Sequence, residues 1–102
     1  MIEIPVGNEE FRVFNFRRPD GRGQLAEGET VQTAAVVATH AATGEAVTGL
    51  VSQVAPYDST AVRYFVDPGA ANLPPRTRID LTFTVATSNG QTLTDTLPIA
   101  IM

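Results

Sequence analysis

The stretch that decides the fold is residues 77–102, TRIDLTFTVATSNGQTLTDTLPIAIM. Apolar residues alternate with polar ones on both sides of a Ser-Asn-Gly turn: Ile79, Leu81, Phe83 and Val85 before it, and Leu93, Leu97, Ile99 and Ile101 after it. A period of two is typical of a strand with one buried face, whereas an amphipathic helix repeats about every 3.6 residues. The pattern therefore predicts an antiparallel β-hairpin.

The same stretch predicts the register of the hairpin. A two-residue loop at Asn89-Gly90 would place the two apolar rows on opposite faces, which a sheet with one buried side cannot accommodate. A three-residue loop, Ser88-Asn89-Gly90, pairs Val85 with Leu93 and puts Gly90 at the left-handed position that such loops require. We therefore predict the three-residue loop.

Two residues of the last strand stand out in this register. Asp95 falls opposite Phe83 on the apolar side, which predicts either a bulge or a position at the rim of the sheet. Pro98 has no N–H to donate to a ladder, which predicts that the last strand lies at a sheet edge.

Upstream of the hairpin, the chain reads as a series of short strands separated by turn signals. We expect strands at 30–39, at 47–54 before Pro56, and at 60–66, where Val62, Tyr64 and Val66 point inward. Short strands at intervals of about eight to twelve residues predict an all-β sandwich or barrel. We divide the chain into an N-terminal arm with an aromatic strand, residues 1–24, and a β-sandwich, residues 25–102.

Residues 11–16, FRVFNF, carry aromatic side chains on both faces of a predicted strand. Such a strand needs cover on both sides, so either it lies deep in its own sandwich or a neighbouring chain covers one side. The loop RRPDGRG follows it. The residues that we expect to contact a partner are Phe11, Phe14, Phe16, Arg17, Arg18 and Arg22.

Composition and charge argue against several classes of protein. The 102 residues include seven basic residues, all arginine, and eleven carboxylates, and the net charge of −4 is unfavourable for nonspecific nucleic-acid binding. Without cysteine the chain has neither a disulfide framework nor a thiolate metal site. No apolar run has the length of a membrane span, and from the acidic opening Met1-Ile2-Glu3 we expect no secretory signal. We expect neither nucleic acid nor membrane as a partner.

The sequence offers little for catalysis. Its one histidine, His40, falls at a predicted strand end, where we expect an exposed residue rather than a base or a metal ligand. Arg76 and Arg78 either meet carboxylates of a partner or form a solvated face. Acidic residues are common near turns. Those of this chain lack the spacing of a calcium-binding loop: Glu9, Glu10, Glu27, Glu29, Asp58 and Asp67. We expect no enzyme activity, catalytic residues, metal or cofactor.

Several motifs together resemble a known group of proteins. The aromatic strand is followed by LAEGETV from Leu25, by TSNGQT from Thr87 and by a closing LPIAI. These features resemble small tailed-bacteriophage proteins that share an aromatic strand, a Leu-x-x-Gly-Glu-Thr-[Ile/Val] step and a hairpin turning at Ser-[Asn/Asp]-Gly. The resemblance spans about residues 11–102. Phe16-Arg17-Arg18 stands where those proteins often have aspartate and tryptophan.

The resemblance implies an immunoglobulin-like antiparallel β-sandwich with an N-terminal arm, and a non-enzymatic structural role on a virion. The expected function is that of a capsid decoration or cement protein, which would be assembled in the cytoplasm of the host bacterium. Its expected partners are the major capsid protein and neighbouring copies of itself, with a trimer as the expected oligomer. The alternatives are a head–tail or tail accessory protein, or a carbohydrate- or cell-surface-binding module that uses Tyr57.

Overall fold

The computed structural model describes residues 2–16 and 28–102, which form an all-β sandwich without helices. The strands of this part are β1 (Ile2–Ile4), β2 (Glu10–Asn15), β3 (Val31–His40), β4 (Val51–Tyr57), β5 (Ala61–Val66), β6 (Thr77–Thr87) and β7 (Thr92–Ile101). A four-stranded sheet has the order β1-β7-β6-β3, and a three-stranded sheet has the order β2-β5-β4. The predicted all-β sandwich is confirmed, whereas the division at residue 24 lies outside the described residues.

The closing hairpin, β6 and β7, has the predicted register. Val85 pairs with Leu93, and the ladder continues without interruption to Thr77 and Ile101. The Thr87 N–H donates to the Gln91 carbonyl at 2.9 Å, which closes a loop of three residues. Gly90 has a φ of 78°, in the left-handed region. The three-residue loop is therefore confirmed.

The structure tests the predictions for Asp95 and for Pro98 in the last strand. Phe83 pairs with Asp95 in an unbroken register, so the bulge is wrong. Asp95 is partly exposed, as expected at a rim, and its Oδ1 accepts from the Thr96 N–H at 2.9 Å. The edge prediction is wrong for the end of β7, because β1 pairs in parallel with residues 99–101. Pro98 directly precedes this parallel pairing.

The strand after β3 also begins and ends later than predicted. Val47 instead donates its N–H to the Ala38 carbonyl of β3 at 2.8 Å, and β4 starts at Val51. The register of β4 shifts between Ser52 and Ala55, where Gln53 has a φ of 51°. β4 then continues through Pro56, because an edge strand needs no N–H on its open side.

The core lies between the two sheets and is centred on aromatic rings. Phe83 of β6 stacks on Phe14 of β2, with ring centroids 4.4 Å apart and planes 9° apart. Tyr64 of β5 meets the same Phe83 ring edge-on at 5.2 Å, and Phe14 meets Phe16 at 5.2 Å. Aromatic contacts of this kind stabilise a core beyond the area that they bury. β2 is therefore an integral strand of the sandwich.

Candidate interaction surface

The structure separates the six residues that the sequence assigned to a partner. Phe14 and Phe16 are buried in the core, so their side chains are not accessible from outside. Phe11 is 48% exposed on the opposite face of β2. Arg17, Arg18 and Arg22 lie outside the described residues. The protein's own second sheet thus covers the inner row of the aromatic strand. Among the three phenylalanines, only Phe11 is accessible to a partner.

The face of the three-stranded sheet that points away from the core is called the outer face here. Its exposed or partly exposed side chains from β2, β5 and β4 include Phe11, Val13, Arg63, Phe65, Ala55 and Tyr57. Val13 is 50% exposed and Tyr57 is 41% exposed. Neighbouring apolar groups exposed on one face are typical of a binding surface, whereas isolated ones are ordinary.

Phe11 is held in place by two residues of β5. Its ring meets Phe65, its cross-strand partner, edge-on with centroids 4.9 Å apart. The Arg63 guanidinium carbon lies 4.7 Å from the Phe11 ring centroid, in a cation–π contact. A partner would therefore meet a fixed aromatic group beside a positive charge. The sequence analysis named Phe11 but not the two β5 residues beside it, because pairing between distant segments is not visible in the local pattern.

The inner row of β2 carries an ion pair near the end of the core. Glu10 Oε1 accepts from Arg12 Nη2 at 2.6 Å and from Arg12 Nε at 2.8 Å. Arg12 pairs across the sheet with Tyr64, which is buried. Burial raises the pKa of the Tyr64 phenol, with smaller opposing effects from Arg12, which lowers it, and Glu10, which raises it.

A second feature is a basic depression at the far end of the four-stranded sheet. Its volume is about 520 Å³, and it is lined by His40, Arg76 and Arg78, with residues 41–43 and Thr77. His40 is the last residue of β3 and is partly exposed. From the sequence, Arg76 and Arg78 either contact carboxylates of a partner or form a solvated face. The structure places His40 beside them in the same depression.

Two of the motifs behind the resemblance meet in space. Glu29 is 1% exposed, and its Oε2 accepts from the Thr87 hydroxyl at 2.6 Å. The next residue, Thr30, is bound through its backbone to Ser88: its N–H donates to Ser88 Oγ at 3.0 Å, and its carbonyl accepts from the Ser88 N–H at 2.8 Å. The Gly-Glu-Thr step thus anchors the chain to the start of the closing turn. Its role here is structural, which the sequence analysis missed.

Among residues 2–16 and 28–102, no group of three or more histidine, cysteine or acidic side chains is arranged to hold a metal ion. Over the same residues the search for a helix long and apolar enough to span a membrane finds none.

Comparisons with protein-family models, with curated proteins and with solved structures find no match to this chain.

Proposed function

We propose that the protein is a non-enzymatic, immunoglobulin-like structural protein of a bacteriophage virion, and that it decorates the capsid by binding the major capsid protein. The outer face of the three-stranded sheet is the binding surface in this proposal. The observation that carries it is the neighbouring exposure of Phe11 and Val13 on one face of one strand.

The strand order supports the immunoglobulin-like part of the proposal. In constant-type immunoglobulin domains, the second, fifth and fourth strands share one sheet with the first, and the third, sixth and seventh share the other. The orders β2-β5-β4 and β3-β6-β7 agree with this arrangement. β1 departs from it, because it pairs with β7 instead of β2.

The chemistry of the outer face supports an adhesive role. Phe11 and Val13 offer apolar area that a partner would remove from water, at about 25 cal/mol per Å². Arg63 offers a positive charge in the same place, suited to a carboxylate of the partner. Each contact would be modest, and attachment of many copies to a symmetric shell would add their contributions.

Mass spectrometry of purified particles tests the virion role. A decoration protein is expected at hundreds of copies per particle, because it follows the symmetry of the shell. A handful of copies would instead assign the protein to the neck or tail, and absence from purified particles would refute the virion role altogether.

A matched pair of variants tests the surface. Val13→Thr on the outer face should weaken binding to purified capsids several-fold, because it replaces a methyl group that the capsid would bury by a hydroxyl group. Val37→Thr is the control, since Val37 is 55% exposed on β3 of the other sheet. Equal binding by both variants would show that the capsid contacts another part of the protein.

A carbohydrate- or cell-surface-binding module is the second candidate, favoured by the 41% exposure of Tyr57 on the outer face. Aromatic rings on flat sheet surfaces can stack on sugar rings. Binding on a glycan array that disappears in Tyr57→Ala, with particles lacking the protein, would select this function over capsid decoration.

A further inference from the structure

We propose that two copies of the chain pair edge to edge through β2, antiparallel and about a twofold axis at Phe11. The three-stranded sheets of the two copies would then form one continuous six-stranded sheet. This inference does not depend on the virion role or on the trimer that the resemblance implies, because it rests on the geometry and charge of β2.

The backbone of β2 has an open side. The Phe16 N–H donates to the Thr60 carbonyl at 2.9 Å, so the even-numbered residues of β2 are the ones that bond to β5. Hydrogen-bonded pairs alternate in an antiparallel ladder, and Phe11 and Val13 therefore direct their N–H and C=O groups away from β5. Within the described residues, β2 is the terminal strand of its sheet. Such an edge can accept a further strand.

The other terminal strands of the described part are less suited to pairing. β4 contains Pro56 and a register shift at Gln53, and both interrupt a regular ladder. β3 runs beside β4, and residues that flank β4 bond to it: the Val31 N–H of β3 donates to the Ser59 carbonyl at 2.6 Å, and the Val47 N–H donates to the Ala38 carbonyl of β3 at 2.8 Å. β1 has only three residues. β2, by contrast, has six regular residues, 10–15, without proline or bulge.

Charge complementarity selects a second copy as the occupant of this edge. When Phe11 pairs with Phe11 of the other copy, Glu10 lies opposite Arg12 of that copy, and Arg12 lies opposite its Glu10. These two residues already form an ion pair within one chain at 2.6 Å, so the dimer would hold four alternating charges around the axis. Opposite charges directly across an antiparallel pair stabilise it, and like charges destabilise it.

The charges of β2 also favour this register over a neighbouring one. A shift of the axis by one residue, to Arg12, would place the two arginines directly opposite each other, which is unfavourable. The axis at Phe11 also puts the two Phe11 rings side by side on the outer face, where each is 48% exposed in the single chain. The pairing would join the two outer faces at the Phe11 rings, with Glu9 of each copy opposite Val13 of the other.

Charge-reversal variants and their mixture test the proposal by sedimentation equilibrium. Glu10→Arg alone and Arg12→Glu alone should each weaken the dimer at least about tenfold, because like charges then face each other twice. An equimolar mixture should form a one-to-one heterodimer as tight as the wild-type dimer, since every cross-axis pair is again opposite in sign. Both variants lack the ion pair within the chain, so restored pairing in the mixture cannot come from restored folding.

Single cysteines test the register, since the chain has no cysteine of its own. Hydrogen-bonded antiparallel partners have Cα atoms about 5.5 Å apart, within the range that a disulfide bridges. Phe11→Cys should therefore cross-link rapidly in a glutathione buffer. Val13→Cys is the matched control, because the two copies of residue 13 would lie about 14 Å apart along the strands.

The proposal is overturned if the wild-type chain stays monomeric at millimolar concentration, or if the two cysteine variants cross-link at equal rates. It is also overturned if each charge-reversal variant dimerises as tightly as the wild type. A monomeric chain that binds a strand from another protein at β2 would assign the edge to that protein instead. None of these results bears on the presence of the protein in virions.

Discussion

Arg76 adopts a backbone conformation that its side chain does not favour. Its φ of 71° lies in the left-handed region, where glycine is at ease and where asparagine or aspartate is tolerated. Asn72 and Asp58 occupy the same region as residues of the tolerated type. The backbone at Arg76 is therefore strained just before β6, at the rim of the basic depression, and this strain lowers the stability of the fold.

We expect Arg76→Gly to raise the free energy of unfolding by about 1 kcal/mol, because glycine adopts this φ without strain. Arg78→Gly, two residues on and inside β6, should instead lower it by about 1 kcal/mol. Urea denaturation of both variants checks the pair. A loss of stability in Arg76→Gly would mean that contacts of the arginine side chain outweigh its backbone strain.

Thr87 is the residue through which the Gly-Glu-Thr step reaches the hairpin. Thr87→Val should destabilise the fold by about 1–3 kcal/mol, because it removes a hydrogen bond from the buried carboxylate of Glu29. Thr84→Val, on the exposed face of the same strand, should change stability by less than about 0.5 kcal/mol. Thermal or urea unfolding measures both, and equal effects would show that the Thr87–Glu29 bond contributes nothing particular.

At the scale of the element, the closing hairpin and β4 show what a local pattern can and cannot predict. The hairpin register followed from alternation and from the conformation that Gly90 adopts, and both act within a few residues. β4 was misplaced because Pro56 read as a stop, whereas the open side of the strand tolerates it. Pairing of β1 with β7 was missed as well, since it joins residues almost a whole chain apart.

We expect Gly90→Ala to cost about 1 kcal/mol of stability. A Cβ at this position would meet nothing within 4 Å, so the cost comes from the left-handed backbone alone. Gly90→Asn should recover part of it, because asparagine tolerates this conformation. Gly7→Ala, at a glycine without positive φ and with open space around it, is the control and should be close to neutral. A neutral Gly90→Ala would mean that the loop can adopt another turn.

For the whole molecule, alternation in the aromatic strand predicted two apolar faces but not which one the protein covers itself. That choice is made by Phe83, which stacks on Phe14 from the opposite sheet and leaves Phe11 outside. The outer face and the basic depression both combine residues from distant strands, so neither could be assembled from sequence spacing. The all-β sandwich was predictable because periodicity and turn chemistry recur in every segment.

Burial of Tyr64 predicts how stability depends on alkaline pH. The phenol has a raised pKa in the folded state, mainly because burial disfavours the phenolate. Its contribution to stability is therefore fully present below the unfolded-state pKa of about 10, and it is lost as the pH rises through the folded pKa. Tyr64→Phe should flatten the decline of stability above about pH 10, and Tyr57→Phe, at an exposed tyrosine, is the control. Identical declines in both variants would exclude Tyr64 as the cause.

The parallel pairing of β1 with β7 determines how the sandwich resists mechanical force. The Met102 N–H donates to the Ile4 carbonyl and the Val6 N–H donates to the Met102 carbonyl, both at 2.9 Å, so the ladder continues past β7. Tension applied between residues 2 and 102 would slide two parallel strands along each other and load all these bonds at once. Tension between residues 77 and 102 would instead peel β6 from β7 one bond at a time. Single-molecule pulling should therefore show a higher rupture force for attachment at residues 2 and 102. The paired strands β1 and β7 would then be the part of the sandwich that bears the mechanical load.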